Sequence, residues 1–384
     1  MSNKLHYARS DLAREIANEL LESNGAIPST KLVVNPGSGT FLSAQRRTGK
    51  STFMRKDLIP ELESRKMPVI YVDLWANREL DPALLIQEAI RVELRKQESL
   101  IANLARKAGL QKLSIGGVFT FDISQIGREV TIAATLTEFV EKHPAKRLVI
   151  IIDEAQHALT SDEGQASMYA LKAARDALNI GQNVPRLLLV CTGSSRSKLG
   201  TLVTGKNSPF YGSRLRDFPP LDKGFTHSLN DRLKSLQPSL NGLSEDTVFA
   251  AFKILGYRPE ELINTLGELA FQRGEEEDVN PLLLSMALER HEEFLKELDQ
   301  QFHSLNPLQQ IILRRIVAMG DVFSAYDSET MKYYEHQLGQ EITVASIQNA
   351  LDSLVEKDIV WRPKRGGYFI DDPLWNDWVE LRAK

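Results

Sequence analysis

Two uninterrupted aliphatic runs, Leu148–Ile152 and Leu187–Val190, constrain this chain more than any other feature. Both have strand length and fall far short of the roughly 20 apolar residues that a membrane span needs. A strand with one wet face alternates polar and apolar residues, whereas one that is apolar throughout has both faces covered. Such strands fit a parallel sheet with helices packed on either side. The 384 residues leave room for two or three domains. A composition of 42% hydrophobic and 26% charged residues excludes wholesale disorder. The single cysteine, Cys191, excludes an intrachain disulfide framework and cysteine-built metal clusters, and reads as a buried inert thiol. The first 30 residues mix charged and apolar positions and lack the apolar core of a signal peptide. A net charge of −4 does not advertise nucleic acid or acidic membrane. The expectation is a soluble, cytoplasmic protein without membrane contact.

Strand and helix signals alternate over residues 1–225. Expected strands are Gly39–Ala44, Met67–Leu74, Arg147–Asp153, Arg186–Thr192 and a short Arg214–Phe218. A helix is expected over Lys50–Ser64, kinked at Pro60, and another from Asp81-Pro82 to about Lys107. Ser114–Ile123 reads as a glycine-interrupted hairpin of unassigned purpose. Residues 226–303 read as a second domain, helical from Asp231 to His303, with candidates Ser244–Leu255, Pro259–Arg273 and Pro281–His303, the last capped by Asn280; Glu275–Asp278 reads as a solvated acidic loop. Residues 304–384 read as helices Leu308–Met319, Glu329–Gly339 and Val344–Asp358, then a strand–turn–strand over Ile359–Ile370. That order is the winged-helix arrangement.

The chemistry begins at Ala44-Gln45-Arg46-Arg47-Thr48-Gly49-Lys50-Ser51. Compared with G-x-x-x-x-G-K-[ST], it matches at Gly49, Lys50 and Ser51 and carries Ala44 in place of the first glycine. The motif works by converging backbone N–H groups on phosphate oxygens at the start of a helix. Ala44 is tolerable there if its φ is negative. Arg47, Thr48, Gly49, Lys50, Ser51 and Thr52 are the expected phosphate-binding residues, with Lys50 on the β- and γ-phosphates and Ser51 on Mg²⁺. Gly-Lys-Ser alone also arises by chance. Downstream, however, an apolar strand ends in Asp153-Glu154. Asp153 can hold the Mg²⁺ shell and Glu154 can orient or deprotonate an attacking water. Both motifs in this order point to a P-loop NTPase. The strand ending in Thr192-Gly193-Ser194-Ser195 offers a polar group for the attacking water, from Thr192, Ser194 or Ser195, or else a loop that simply caps a helix. Residues 186–216 hold six cations (Arg186, Arg196, Lys198, Lys206, Arg214, Arg216) and no carboxylate. This is an anion-attracting stretch or a solvated face, and Arg214 and Arg216 are its candidates for a catalytic arginine.

The segments Arg-Arg-Thr-Gly-Lys-Ser (46–51), Tyr-Val-Asp-Leu (71–74), Ile-Ile-Asp-Glu-Ala-Gln (151–156), Thr-Gly-Ser-Ser (192–195) and Ser-Pro-Phe-Tyr-Gly-Ser-Arg (208–214) resemble the archaeal-type P-loop ATPase family. That family lies close to the origin-recognition AAA+ proteins and the STAND signalling ATPases. Ser213 separates Gly212 from Arg214 where the family has a Gly-Arg step. The resemblance implies an α/β fold: an additional-strand, AAA+-like P-loop NTPase domain of three αβα layers, a helical lid and a C-terminal winged helix. It implies ATP and Mg²⁺ as ligands, slow hydrolysis coupled to conformational change, and Arg258 as a lid arginine facing the γ-phosphate; a structural arginine at a helix start is the alternative. The ending Tyr368-Phe369-Ile370-Asp371-Asp372-Pro373-Leu374-Trp375 is similar to that family's winged-helix terminus.

Residues 304–384 carry nine basic against twelve acidic side chains, so this region as a whole does not match a phosphate backbone. Only the wing, with Arg362, Lys364 and Arg365, is basic. Three readings follow. In the leading one, an ATPase switch changes its binding to a protein partner, or to itself, with nucleotide state. The alternative is a DNA-binding, initiator- or loader-type ATPase gripping DNA with the wing and residues 186–216. The third is a nucleotide-binding scaffold that does not hydrolyse.

Overall fold

The computed structural model describes residues 6–21, 39–107, 132–143, 145–272, 278–362 and 367–382. The hairpin expected at 114–123, most of the acidic loop at 275–278, and Lys364 and Arg365 lie outside them.

Chain order runs α1 (Ser10–Leu21), β1 (Thr40–Ser43), α2 (Lys50–Phe53), a π-helical turn (Met54–Leu58), α3 (Ile59–Ser64), β2 (Val69–Asp73), α4 (Pro82–Lys107), α5 (Ile132–Lys142), β3 (Leu148–Asp153), α6 (Asp162–Asn179), β4 (Leu187–Gly193), α7 (Arg196–Thr204) and β5 (Leu215–Asp217). The strands form one parallel sheet in the order β2-β3-β4-β1-β5. β4 therefore sits between β1 and β3, in the additional-strand arrangement. Register pairs Phe41 with Cys191 and Asp73 with Asp153.

Period-two side-chain direction splits each apolar strand between two cores. Leu148, Ile150 and Ile152 join Leu187, Leu189 and Cys191 under α4, α5, α6 and α7. Val149, Ile151, Leu188 and Val190 pack on the opposite face against α1, α2 and α3. The result is three layers. Helix α1 belongs to this sandwich because Ala13, Ile16, Ala17 and Leu20 recur at i, i+3, i+4 and i+7. Pro60 produces no break between α2 and α3. The π turn just before it absorbs the missing N–H and the ring, so the segment runs continuously from Lys50 to Ser64.

A helical unit follows: α8 (Lys223–Leu236), α9 (Glu245–Ile254), α10 (Pro259–Gln272) and α11 (Val279–His303), closed on Phe225, Leu229, Phe252, Leu262 and Leu266. The cap of α11 differs from expectation. Asp278 accepts from the Asn280 N–H (3.0 Å), while the Asn280 side chain donates to the Gly242 carbonyl (2.8 Å) and accepts from the Ser244 N–H (2.9 Å), tying α11 to the start of α9. The last unit comprises α12 (Pro307–Met319), α13 (Ser328–Leu338), α14 (Val344–Glu356), an antiparallel pair β6 (Val360–Trp361) and β7 (Phe369–Ile370), and α15 (Leu374–Arg382). Asn306 and Gln309 cap α12 reciprocally. The expected boundary at 225/226 falls inside α8, and that at 303/304 coincides with the end of α11. Phe225 at the start of α8 is already in the core of the helical unit, and Leu295, Leu298 and Phe302 of α11 are in the C-terminal core with Trp375 and Trp378. Among the described residues no helix is long and apolar enough to cross a membrane.

Cys191 is fully buried in β4, and burial pushes its thiol up to about 12. The native protein should therefore give no reaction with an aromatic disulfide reagent at pH 8, and one equivalent in denaturant. Stoichiometric labelling of native protein would mean that β4 opens to solvent.

Candidate nucleotide site

The turn between β1 and α2 is built around two left-handed residues, Arg47 (φ 65°) and Gly49 (φ 86°). Glycine takes this backbone without penalty; arginine does so at a cost of about 1 kcal/mol. Ala44 is not left-handed, which meets the condition set for alanine at that position, and its N–H donates to the Gly193 carbonyl (3.1 Å). The Thr48 hydroxyl closes the turn on the Gln45 carbonyl (2.8 Å). Gln45 to Thr52 line a cavity of about 320 Å³ together with Asp73, Trp75, Arg78, Glu154 and Ser194. The Lys50 ammonium, only 4% exposed, meets Glu154 Oε1 at 3.2 Å across this cavity.

Glu154 (φ 55°) is held in left-handed backbone at the end of β3. Its other oxygen accepts from the Ser194 N–H (3.1 Å), the Ser194 hydroxyl (2.7 Å) and the Gln156 amide (2.5 Å). Burial alone would raise this carboxyl. Lys50 and the hydrogen bonds from Ser194 and Gln156 outweigh burial and hold it below its ordinary value, so it is a carboxylate at neutral pH. Gly193 permits the arrangement, because a side chain there would run into Gln156.

Asp153 is completely buried one layer deeper, accepting from Tyr71 Oη (2.9 Å), from the Thr192 hydroxyl and from the Glu154 N–H (3.2 Å). Thr192 thus points at Asp153, whereas Ser194 lines the cavity. The Ser51 hydroxyl position and the Asp73 and Glu154 carboxylates line the cavity, with the Asp153 carboxylate behind.

A second, more apolar cavity of about 560 Å³ shares Arg47, Thr48, Gly49 and Thr52 with the first and extends away from Glu154. His6, Tyr7 and Arg9 wall it from the N-terminal segment, Phe53 from α2, Phe225 from α8, and Pro259 and Ile263 from α10. A flat aromatic group fits such a wall. Sequence reading missed this segment. Its signal was three residues with aromatic or cationic side chains (His6, Tyr7, Arg9), whose long-range partners, such as Asp57 for His6 (2.9 Å), cannot be read from spacing.

The arginines separate by place. Arg47 bridges turn to lid through Glu261 (2.5 Å), which Arg290 also holds (3.1 Å). Arg258 stacks on Phe294 (4.5 Å) and points at Asp372 of the C-terminal unit (3.4 Å) rather than into the cavity. Gln45 donates to the same Asp372 (3.1 Å). Arg216 on edge strand β5 is paired with Glu19 of α1 (3.3 Å), and Arg214 is exposed beside it; neither lines the cavity. Of the remaining cations in 186–216, Arg186 pairs with Glu141, Lys198 with Asp358, and Arg196 with Asp217 while stacking on Trp361. Four of the six cations are thereby neutralised within the chain.

A glycine-containing turn opening a helix after β1, a carboxylate pair ending β3 and one strand inserted between them define an additional-strand P-loop NTPase fold. The comparisons agree. The Walker-type ATPase PABY2304 of Pyrococcus abyssi superposes with a TM-score of 0.53 at 21% identity, covering 97% of this chain and 95% of that one. The ADP form of the Aeropyrum pernix ORC2 protein gives 0.53 at 15% identity, covering 97% and 91%. No protein-family model and no curated protein matches the chain.

Where the C-terminal unit meets the site, Asp371 lies between Asp358 and Asp372. Burial first, then these two carboxylates, push Asp371 up to about 7, against the pull of Arg196. A carboxyl raised on folding stabilises the native state below its unfolded value and ceases to as pH rises through 7. Asp371→Asn should therefore raise Tm at pH 8 by a few degrees, roughly 1 kcal/mol, with the gain gone below pH 4. An equal Tm shift at both pH values would contradict the assignment.

Proposed function

We propose that this chain is an ATP-binding and ATP-hydrolysing P-loop ATPase of the initiator type. The observation that carries it is the Lys50–Glu154 pair at 3.2 Å inside the turn-lined cavity. A buried lysine and a carboxylate held ionised face each other where a terminal phosphate and its attacking water would lie. In this reading the backbone N–H groups of 47–52 and Lys50 bind the β- and γ-phosphates. The apolar cavity holds the base between Tyr7, Phe225 and Ile263. Glu154 takes the proton of the attacking water, and Ser194 and Gln156 orient it. Ser51 would hold Mg²⁺ directly and Asp153 from behind it; the ion would neutralise charge developing on the phosphates. Thr192 keeps Asp153 oriented.

The likeness to the ORC2 protein supports an initiator-type ATPase over a signalling switch. On that reading DNA would meet the exposed Arg214 and Lys206 and the wing beginning at Arg362, because the other cations of 186–216 are paired internally. A nucleotide-controlled C-terminal unit remains compatible with it. Asp372 takes hydrogen bonds from both the phosphate turn (Gln45) and the lid (Arg258), so phosphate binding and C-terminal docking share one carboxylate.

Glu154→Gln should lower ATP turnover at least 10²-fold while ATP is still bound, and Lys50→Ala should abolish binding. Duplex DNA should raise wild-type turnover, with the stimulation lost between 50 and 200 mM salt. Unchanged turnover in Glu154→Gln would remove Glu154 from the chemistry. Turnover insensitive to DNA would return the protein-partner switch to first place.

A further inference from the structure

The loop after β2 brings Arg78, which no motif contains, to the phosphate cavity beside Arg46 of the phosphate turn. Asp73 ends β2, and its carboxylate accepts the Trp75 N–H (2.9 Å) while Arg55 grips the other oxygen (2.7 Å). This fixes Trp75 at the cavity wall. Two guanidinium groups lie over its indole, Arg78 at 3.3 Å and Arg46 at 4.8 Å from the ring centroid. The edge of His157 closes the third side (4.1 Å). Burial lowers the pKa of His157 and, with Arg46, Arg78 and Lys198 nearby, outweighs the pull of Glu154, so His157 is a neutral ring there.

Arg46 and Arg78 differ from the other arginines around the site. Arg47, Arg55, Arg216 and Arg258 are each committed to a carboxylate. Among the described residues no ion pair joins Arg46 or Arg78 to a carboxylate; Arg46 only approaches the Ser194 hydroxyl (3.5 Å), which itself donates to Glu154. Both line the phosphate cavity and neither lines the apolar one, which places them at the Glu154 end, opposite the base pocket. Cation–π stacking holds an arginine in place while leaving its N–H edge for an anion.

We propose that Arg46 and Arg78, seated on Trp75, contact the terminal phosphate of a bound nucleoside triphosphate from within the same chain and stabilise its transfer to water. The inference rests on the nucleotide reading given above. In the step concerned, a bond forms between the water oxygen and the terminal phosphorus, and the bond from that phosphorus to the bridging oxygen of the β-phosphate breaks. The water proton passes to Glu154 and the electron pair leaves with the diphosphate. The guanidinium groups meet the charge that grows on the oxygens during this exchange. Trp75 is the positioning residue.

The test uses the full chain with Mg²⁺ and compares wild type, Arg78→Ala, Arg46→Ala and Trp75→Ala, all expected to fold because the two arginines are exposed and Trp75 lies on the cavity wall. Turnover should fall about 10²-fold in each arginine variant. The preference for a non-hydrolysable triphosphate over ADP should fall roughly tenfold, with ADP affinity unchanged. Arg78→Lys should recover part of the binding preference and little of the turnover. Wild-type values in both arginine variants would overturn the proposal while leaving the nucleotide reading intact. Failure of wild type to bind ADP or the triphosphate would overturn both. Mixing Arg78→Ala with Glu154→Gln should restore no turnover; recovery would show that the arginine acts between chains and would overturn the intramolecular assignment.

Discussion

A buried ammonium needs a counter-charge, and the site is organised around how Lys50 obtains one. Lys50 starts the helix after β1, and Glu154 ends β3, two strands away. They meet only because β4 spaces those strands and its own end supplies Ser194 to the second carboxylate oxygen. Removing either partner would strand a charge at a cost of about 3–5 kcal/mol. A phosphate is the natural replacement for Glu154 as the partner of Lys50. On the proposed function, binding a nucleotide would release the carboxylate for a water, and the resting pair would lock the chemistry until then.

Two of the non-glycine residues with left-handed backbone, Arg47 and Glu154, lie at the same place. Residues hold such conformations only where the surroundings over-determine them. Here the lid carboxylate Glu261 fixes Arg47, and Gln156 with Ser194 fixes Glu154. The C-terminal unit adds a second layer of the same logic. Its carboxylates Asp358 and Asp372 take Ser195, Lys198, Gln45 and Arg258, partners from the loops after β1 and β4, from α7 and from the lid. Three units meet at the ends of the strands where a parallel sheet places ligands.

The sheet was legible because strands apolar on both faces leave few alternatives, and all five expected strands are present within a residue or two at most ends. The phosphate turn and the Asp153-Glu154 strand end were legible because their spacing is their mechanism. Other features depended on distant partners. Nothing in Ser10–Leu21 announces which sheet face its stripe will cover, and Lys223 gave no sign that α8 begins there. At Pro60, where a kink was expected, a π turn over Met54–Leu58 precedes the proline and the helix runs on. Asn280 looked like the cap of α11, but Asp278 two residues earlier took the role and freed Asn280 for Gly242. At the site, Arg214 and Arg216 stood out through the charge pattern, whereas Trp75 and Arg78 sit in a loop with no motif and acquire meaning only from the cavity they line.

The central claim is that Lys50 is shared between Glu154 and a phosphate. Calorimetric titration of a non-hydrolysable ATP analogue with Mg²⁺ into wild type and Glu154→Gln tests it most directly. If the pair must break for phosphate to bind, removing the competing carboxylate charge should tighten binding about tenfold, the worth of one charge-assisted contact. Equal or weaker binding by Glu154→Gln would show that Lys50 does not exchange partners, and would contradict the account.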